Sequence, residues 1–302
     1  MMNLVKFIIH FDLPEILTMI RLFLFAALFL LQTTLSVAQK SLKIMIIFAH
    51  PDEGEKYTGG IAALYTKMGH QVKFMSLTNG DAGHYAMNPV ELTKMRYQEA
   101  MESKRILALD AYEVLDYHDK YLKNTKEAQE KVIKSIQDWQ ADVVFTYYPA
   151  EGGHIDNMTA GYIVRDAAPN LQMKKKPVFV YVRDYHTIKF SYIPDFAVAI
   201  DPVWPVKLAA LGAHRSQLAD VIPHSMGILD EVRADPEKQK KIIYDNAYPF
   251  SNITDINRPA LLKWYGKDIA GIKYIESYEI AEFGRQLEEK EMPLFFPMLS
   301  QR

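Results

Sequence analysis

The chain has 302 residues, 49% hydrophobic and 24% charged, with a formal net charge of −2 and no cysteine. That balance is that of a globular protein with core enough for one large α/β domain. The near-neutral charge, with no basic stripe interleaved with aromatics, argues against a nucleic-acid partner. The lack of cysteine excludes disulfides, thiolate metal ligands, a cysteine nucleophile and a lipid-modified N-terminus.

In chain order, Arg21, the apolar run 22–31 and the small-residue exit Ser36-Val37-Ala38 have the form of a secretory signal. The run is shorter than the roughly 20 residues a membrane span needs. Cleavage after Ala38 is expected, giving a mature start at Gln39 and a periplasmic or secreted protein; an uncleaved anchor is the competing account. Residues 1–18 precede Met19, which itself reads as a natural start, and residues 39–302 are expected to form a single domain.

The apolar run 43–48 predicts a buried strand, and residues 59–68 a helix ended by Gly69-His70. A strand over 71–77 runs into the loop Thr78-Asn79-Gly80-Asp81-Ala82-Gly83. A helix over 90–109, a strand over 112–115, a helix over 126–139 and a strand over 143–145 follow. After a glycine-rich loop at 149–157 come a helix over 158–168, strands over 178–182 and 197–200, and a helix over 203–218. The last eighty residues read as largely irregular, with a late strand near 274–283. Strands alternating with helices imply βαβ units, hence a Rossmann-like α/β fold: an open, mostly parallel sheet with helices on both faces, in three layers. Ligands then bind beyond the carboxyl ends of the strands, at 49–60, 78–88, 148–157 and 183–190.

Two of those strand ends carry chemistry. Pro51 holds His50 extended, so Ala49-His50-Pro51-Asp52-Glu53 presents one imidazole and two carboxylates within four residues. Such a set suits a divalent metal with a base beside it; taken alone, a proline turn with solvated acids is the favoured account. The second set is Gly152-Gly153-His154-Ile155-Asp156-Asn157, where His154 and Asp156 point the same way if the segment is extended. An Asp/Asn helix cap is the competing account there. His84, His118, His186 and His224 read as isolated, and Arg183-Asp184 as a strand-end pair.

Together these segments resemble the PIG-L/LmbE family of N-acetyl deacetylases. Ala49-His50-Pro51-Asp52-Glu53 with Gly59-Gly60 is similar to its Ala-His-Pro-Asp-Asp…Gly-Gly motif, and residues 78–83 to its Thr-Asn-Gly-Asp-Ala-Gly segment. Arg96 and Glu99 match an Arg-x-x-Glu, and Asp119 with Leu122 an Asp-Gly-x-Leu. His154-Ile155-Asp156-Asn157 matches a His-Pro-Asp-His, and His214 to Gln217 a His-x-Ser-Gln, so the likeness spans about 43–218. The resemblance implies metal-dependent amide hydrolysis of an N-acetylated amino sugar or related compound, with zinc as the divalent metal. It implies Asp52 as general base, His154 as oxyanion stabiliser held by Asp156, and Arg96 and Asp119 as substrate-binding residues. The metal ligands it implies are His50, Glu53 and Asn157. Two of these depart from the family: Glu53 stands where it has aspartate, and Asn157 where it has histidine. The alternative reading is a non-catalytic glycan-binding or interaction domain on the same fold.

Overall fold

The structure, a computed structural model, describes residues 41–149, 154–182, 192–267 and 269–300. The expected signal sequence, Gly152-Gly153, Arg183-Asp184 and His186 lie outside the described residues. The described residues contain no helix long and apolar enough to cross a membrane.

Among the described residues, seven strands form one sheet in the order β3-β2-β1-β4-β5-β7-β6. They are β1 (Lys43–Phe48), β2 (Gln71–Thr78), β3 (Ala111–Tyr117), β4 (Val143–Tyr147), β5 (Val178–Val182), β6 (Phe196–Ala199) and β7 (Ile275–Gly284). β1, β4 and β5 are almost wholly buried runs of Val, Ile, Phe and Tyr, as strands covered on both faces must be. The pairs among β1 to β5 are parallel, while β7 runs antiparallel between β5 and β6.

The helices that carry the argument are α1 (Glu53–Lys67), α2 (Pro89–Ile106), α3 (Lys126–Trp139), α4 (Ile155–Ala167) and α5 (Trp204–Gly212). α1 and α2 both pack on α5, and α3 packs on α4. These are the two groups that right-handed crossovers lay on opposite faces of the sheet. Strand order reverses between β1 and β4, and a crevice opens there beyond their carboxyl ends.

Three predicted boundaries move. α1 begins at Glu53 rather than 59, which puts Gly59-Gly60 inside a helix, where each glycine costs about 1 kcal/mol relative to alanine. The reason is close approach. A Cβ on Gly60 would lie 2.7 Å from Ile200 Cγ2 and 2.8 Å from Glu276 Oε1. Glu276, on β7, accepts from the Gly60 and Ile61 amides at 2.8 and 2.7 Å, and from the Tyr278 hydroxyl at 2.7 Å. The Lys207 ammonium, on α5, closes this cluster at 2.6 Å, and both charged side chains are at most 1% exposed.

α4 begins at Ile155 instead of 158, so Asp156 stands in its first turn and not in an extended segment. The expected helix over 203–218 breaks after Gly212 and resumes as a wide π-helical turn over Ser216–Val221. Buried Glu99 accounts for the break. It takes the Ser216 amide at 2.6 Å and the Ser216 hydroxyl at 2.7 Å, drawing this turn away from α-helical register.

Lys207→Met would leave Glu276 buried without its counter-charge. It should lower the unfolding free energy by about 3–5 kcal/mol. Urea unfolding checks this: the midpoint should fall at constant slope, and Lys207→Met/Glu276→Gln should recover part of the loss.

Candidate active site

The crevice is a cavity of about 540 Å³ lined by His50, Asp52, Glu53, Arg96, Asp119, His154 and Asn157, among others. The eight residues expected from sequence converge there: seven line the cavity, and Asp156 lies wholly buried against His50.

His50 sits where β1 ends, and carboxylates face both of its ring nitrogens. Nε2 meets Asp119 Oδ1 at 2.9 Å and Asp156 Oδ2 at 3.2 Å, while Nδ1 lies 3.2 Å from Glu53 Oε1. Burial lowers the pKa of His50, but Glu53, Asp119 and Asp156 outweigh it and push the ring well above the usual histidine range. The longer arm of Glu53 lets its carboxylate fold back, so Oε2 takes the His50 amide at 2.8 Å. The Tyr147 hydroxyl, at the end of β4, also donates to Glu53. Burial raises the Glu53 pKa, yet His50 and these donors bring it to about 2.

Asp52 is the N-cap of α1 at φ 103°, in the left-handed region. Non-glycine residues held in such conformations cost roughly 1–3 kcal/mol and persist only where their surroundings enforce them. Arg96, on α2, does the enforcing: its Nη2 donates to the Pro51 carbonyl and, at 2.7 Å, to Asp52 Oδ1. Gly80 at φ 69° makes room for that guanidinium, since a Cβ there would lie 2.6 Å from Arg96 Nη1. Burial pushes the Asp52 carboxyl above its ordinary range, with Arg96 opposing.

The loops after β2 and β3 fix Asp119. Asp81, turned by the Asn79 side chain, accepts the Asp119 amide at 3.0 Å and the exposed His118 ring at 2.5 Å. The Asp156 carboxylate takes the Lys120 and Leu122 amides at 2.6 and 3.3 Å as well as His50. It was expected to hold His154. Because α4 starts at Ile155, Asp156 contacts that ring through its backbone, the amide donating to His154 Nδ1 at 3.3 Å. Sequence reasoning passed over Tyr147, Lys56, Tyr57 and Lys120, and gave Gln217, which also lines the cavity, only as the end of the His-x-Ser-Gln motif. Tyr147 reads as core, and the three others carry no spacing signal. His84 and His224, read as isolated, stack against Tyr85.

The donor set fits a divalent cation. With carboxylates on both nitrogens the ring holds both protons, Nε2–H facing Asp119 and Asp156 and Nδ1–H facing Glu53 at 3.2 Å. A divalent cation would take the place of one of these protons, between a ring nitrogen and the carboxylate it faces. The buried Oδ1 of Asn157 has no hydrogen-bond partner among the described residues, leaving an amide oxygen to offer. On the other side of the ring, ligand atoms of His50, Asp119 and His154 lie within 4.8 Å of one another and could also hold a metal. A ligating histidine characteristically gives its other ring N–H to a carboxylate, and His50 has one waiting on either side; the Nδ1 side is the one that uses the expected ligand Glu53.

Residues 45–168 match the family model PIG-L, GlcNAc-PI de-N-acetylase. The probable N-acetyl-alpha-D-glucosaminyl L-malate deacetylase 2 of Bacillus anthracis is 26% identical over 185 residues, 58% of this chain and 81% of that protein. The structure of N,N'-diacetylchitobiose deacetylase from Pyrococcus horikoshii matches with a TM-score of 0.59 and 21% identity, covering 80% of this chain and 84% of that one. That of GalB, the 4-carboxy-2-hydroxymuconate hydratase of Pseudomonas putida, gives a TM-score of 0.61 at 17% identity, covering 82% and 99%. At these identities the structural likenesses establish the fold alone. A hydratase among them shows that the fold does not decide the chemistry.

Divalent cations, tried as Zn²⁺, Mn²⁺ and Co²⁺, should stabilise chelator-treated protein, by about 2.7 kcal/mol at one hundred times Kd. Thermal unfolding reads this out, and His50→Ala should abolish it. With the ion on the Nδ1 side, Glu53→Gln should also abolish it, while Asp119→Asn weakens affinity roughly 10–100-fold. The reverse pattern would place the ion on the Nε2 side.

Proposed function

Since the chain is PIG-L/LmbE-like, we propose that it is a metal-dependent amide hydrolase that removes the acetyl group from an N-acetylated amino sugar or related small molecule. The observation that carries this reading is one cavity in which Asp52, clamped by Arg96, stands beside an imidazole whose metal-facing nitrogen meets Glu53. His50, Glu53 and Asn157 would hold the cation, zinc in this reading. A divalent cation supplies a Lewis acid for the acetyl carbonyl and lowers the pKa of water towards neutrality.

Asp52 takes the proton of the water that attacks the acetyl carbon and returns it to the nitrogen as the C–N bond breaks, giving acetate and the free amine. Burial makes it a stronger base than an exposed aspartate, with Arg96 opposing that rise. His154 accepts the Asp156 amide on Nδ1, which fixes the neutral ring with its proton on Nε2. That N–H is the donor a developing oxyanion needs. Arg96 and Asp119, which both line the cavity, orient the substrate in this reading. A second reading, a non-catalytic glycan-binding domain, draws on Asn157, because a neutral amide is a weaker zinc ligand than imidazole.

Acetate or amine release from N-acetyl sugars with added Zn²⁺, Co²⁺, Mn²⁺ or Ni²⁺ tests the proposal directly. Asp52→Asn should lower kcat roughly 10²–10⁴-fold with metal content little changed. Unchanged turnover would remove Asp52 from its role, and no release with any metal would leave the binding-domain reading. Asn157→His should tighten zinc binding, measured against a chelating dye.

We also propose that the enzyme works in the periplasm or outside the cell, on the strength of Arg21, the apolar run and Ser36-Val37-Ala38. N-terminal mass analysis of native protein should find Gln39 first; intact residues 20–38 would exclude cleavage.

A further inference from the structure

Two lysines line the cavity outside the reacting centre, Lys56 and Lys120. Lys56 lies one turn along α1 from Asp52, its amide bonded to the Asp52 carbonyl at 3.1 Å, and so shares the face that bears Glu53 on the Nδ1 side of His50. Its ammonium stands 5.4 Å from the Tyr57 ring centroid and 5.1 Å from that of Phe250, the range of a cation–π contact. Lys120 directly follows Asp119, on the Nε2 side. Its backbone is left-handed at φ 71°, its amide is tied to Asp156, and its ammonium donates to the Ala82 carbonyl at 2.9 Å. An ammonium has three donors, so this tether positions the charge without using it up.

His50, Asp119 and Asn157 are buried, Asp52, Glu53 and Lys56 are half-buried, and His154 and Lys120 are exposed. The two ammonium groups therefore belong to the outer wall of the cavity, within reach of the atoms of a substrate that project from its acetamide. The carboxylates of the centre are engaged inward: Asp52 meets Arg96, while Glu53, Asp119 and Asp156 meet His50. A cleft with low-dielectric walls concentrates the field of such charges on whatever enters.

We propose that the cavity selects N-acetylated substrates bearing an anionic group, a carboxylate or a phosphate ester, on the part that projects outward. Lys56 and Lys120 are the specificity-determining residues. This deepens the deacetylase reading and rests on it.

The test compares three N-acetylglucosaminides in the metal-loaded full chain: a methyl glycoside, the same glycoside with a carboxymethyl aglycon, and the methyl glycoside 6-phosphate. At low salt kcat/KM should favour at least one anionic substrate by about tenfold or more, the scale of one ion pair of intermediate screening. Which anion is favoured tells carboxylate from phosphate. The preference should shrink as salt is raised. Lys56→Gln/Lys120→Gln should bring the anionic-to-neutral ratio towards one, and Lys120→Glu should invert it. A ratio near one in wild type, or a ratio that survives the double substitution, overturns the proposal. Acetate release from none of the three would instead sink the deacetylase reading. Calorimetric binding of the same compounds then decides charge selection alone: tighter anion binding that vanishes in the double variant upholds it, and equal or absent binding overturns it.

Discussion

Everything in the site depends on one imidazole held by carboxylates from three directions. Glu53 comes from the start of α1, Asp119 from the loop after β3, and Asp156 from the first turn of α4. No local segment could supply all three. β1 must lie at the reversal of strand order, with β2 and β3 to one side and β4 to the other, for those carboxylates to meet His50. Burying so many acids together is costly unless each is satisfied. Here backbone amides do much of that work: His50 for Glu53, and Lys120 and Leu122 for Asp156. The main chain is thereby part of the electrostatics, and a shift in any of three loops would leave a buried charge unmet.

α1 is held at two points for related reasons. At its start, Arg96 grips the Pro51 carbonyl and the Asp52 carboxylate, enforcing a backbone angle that aspartate rarely adopts. Half-way along, Glu276 takes two of its amides while Lys207 neutralises the charge. Asp52 and Glu53 therefore project from a helix with little freedom to slide or rotate. Such rigidity suits chemistry that needs groups fixed to fractions of an ångström.

What was legible in the sequence was what short-range pattern encodes. The apolar runs 43–48 and 178–182 and the helix over 126–139 lie where periodicity puts them, because their burial shows in their own residues. Contacts across long stretches of chain were not legible. The break after Gly212 answers to Glu99, 117 residues from Ser216, and the glycines inside α1 answer to Glu276, 216 residues from Gly60. At the site, the residue types announced themselves, but their pairing did not. Asp156 sits two residues from His154, yet a helix beginning between them turns its carboxylate to His50 instead. Tyr147 was invisible because a tyrosine ending a buried strand has the same signature whether it packs or donates to a carboxylate.

The place of β7 has a consequence for how the chain assembles. It is the last of the described strands in chain order, yet it lies inside the sheet, pairing Val182 with Tyr278 on one side and Phe196 with Tyr278 on the other. Until it arrives, β5 has an open edge and β6 has no partner in the sheet. Glu276 travels on the same strand, so Lys207 has no counter-charge until then either. Everything before β7 must leave the ribosome before this half of the sheet can close, and such late, long-range pairing is intrinsically slow. During that interval unsatisfied strand edges are exposed to other chains. Keeping the nascent chain apart from its neighbours thus matters until β7 is out, and a product terminated before β7 is an aggregation hazard rather than a smaller working protein.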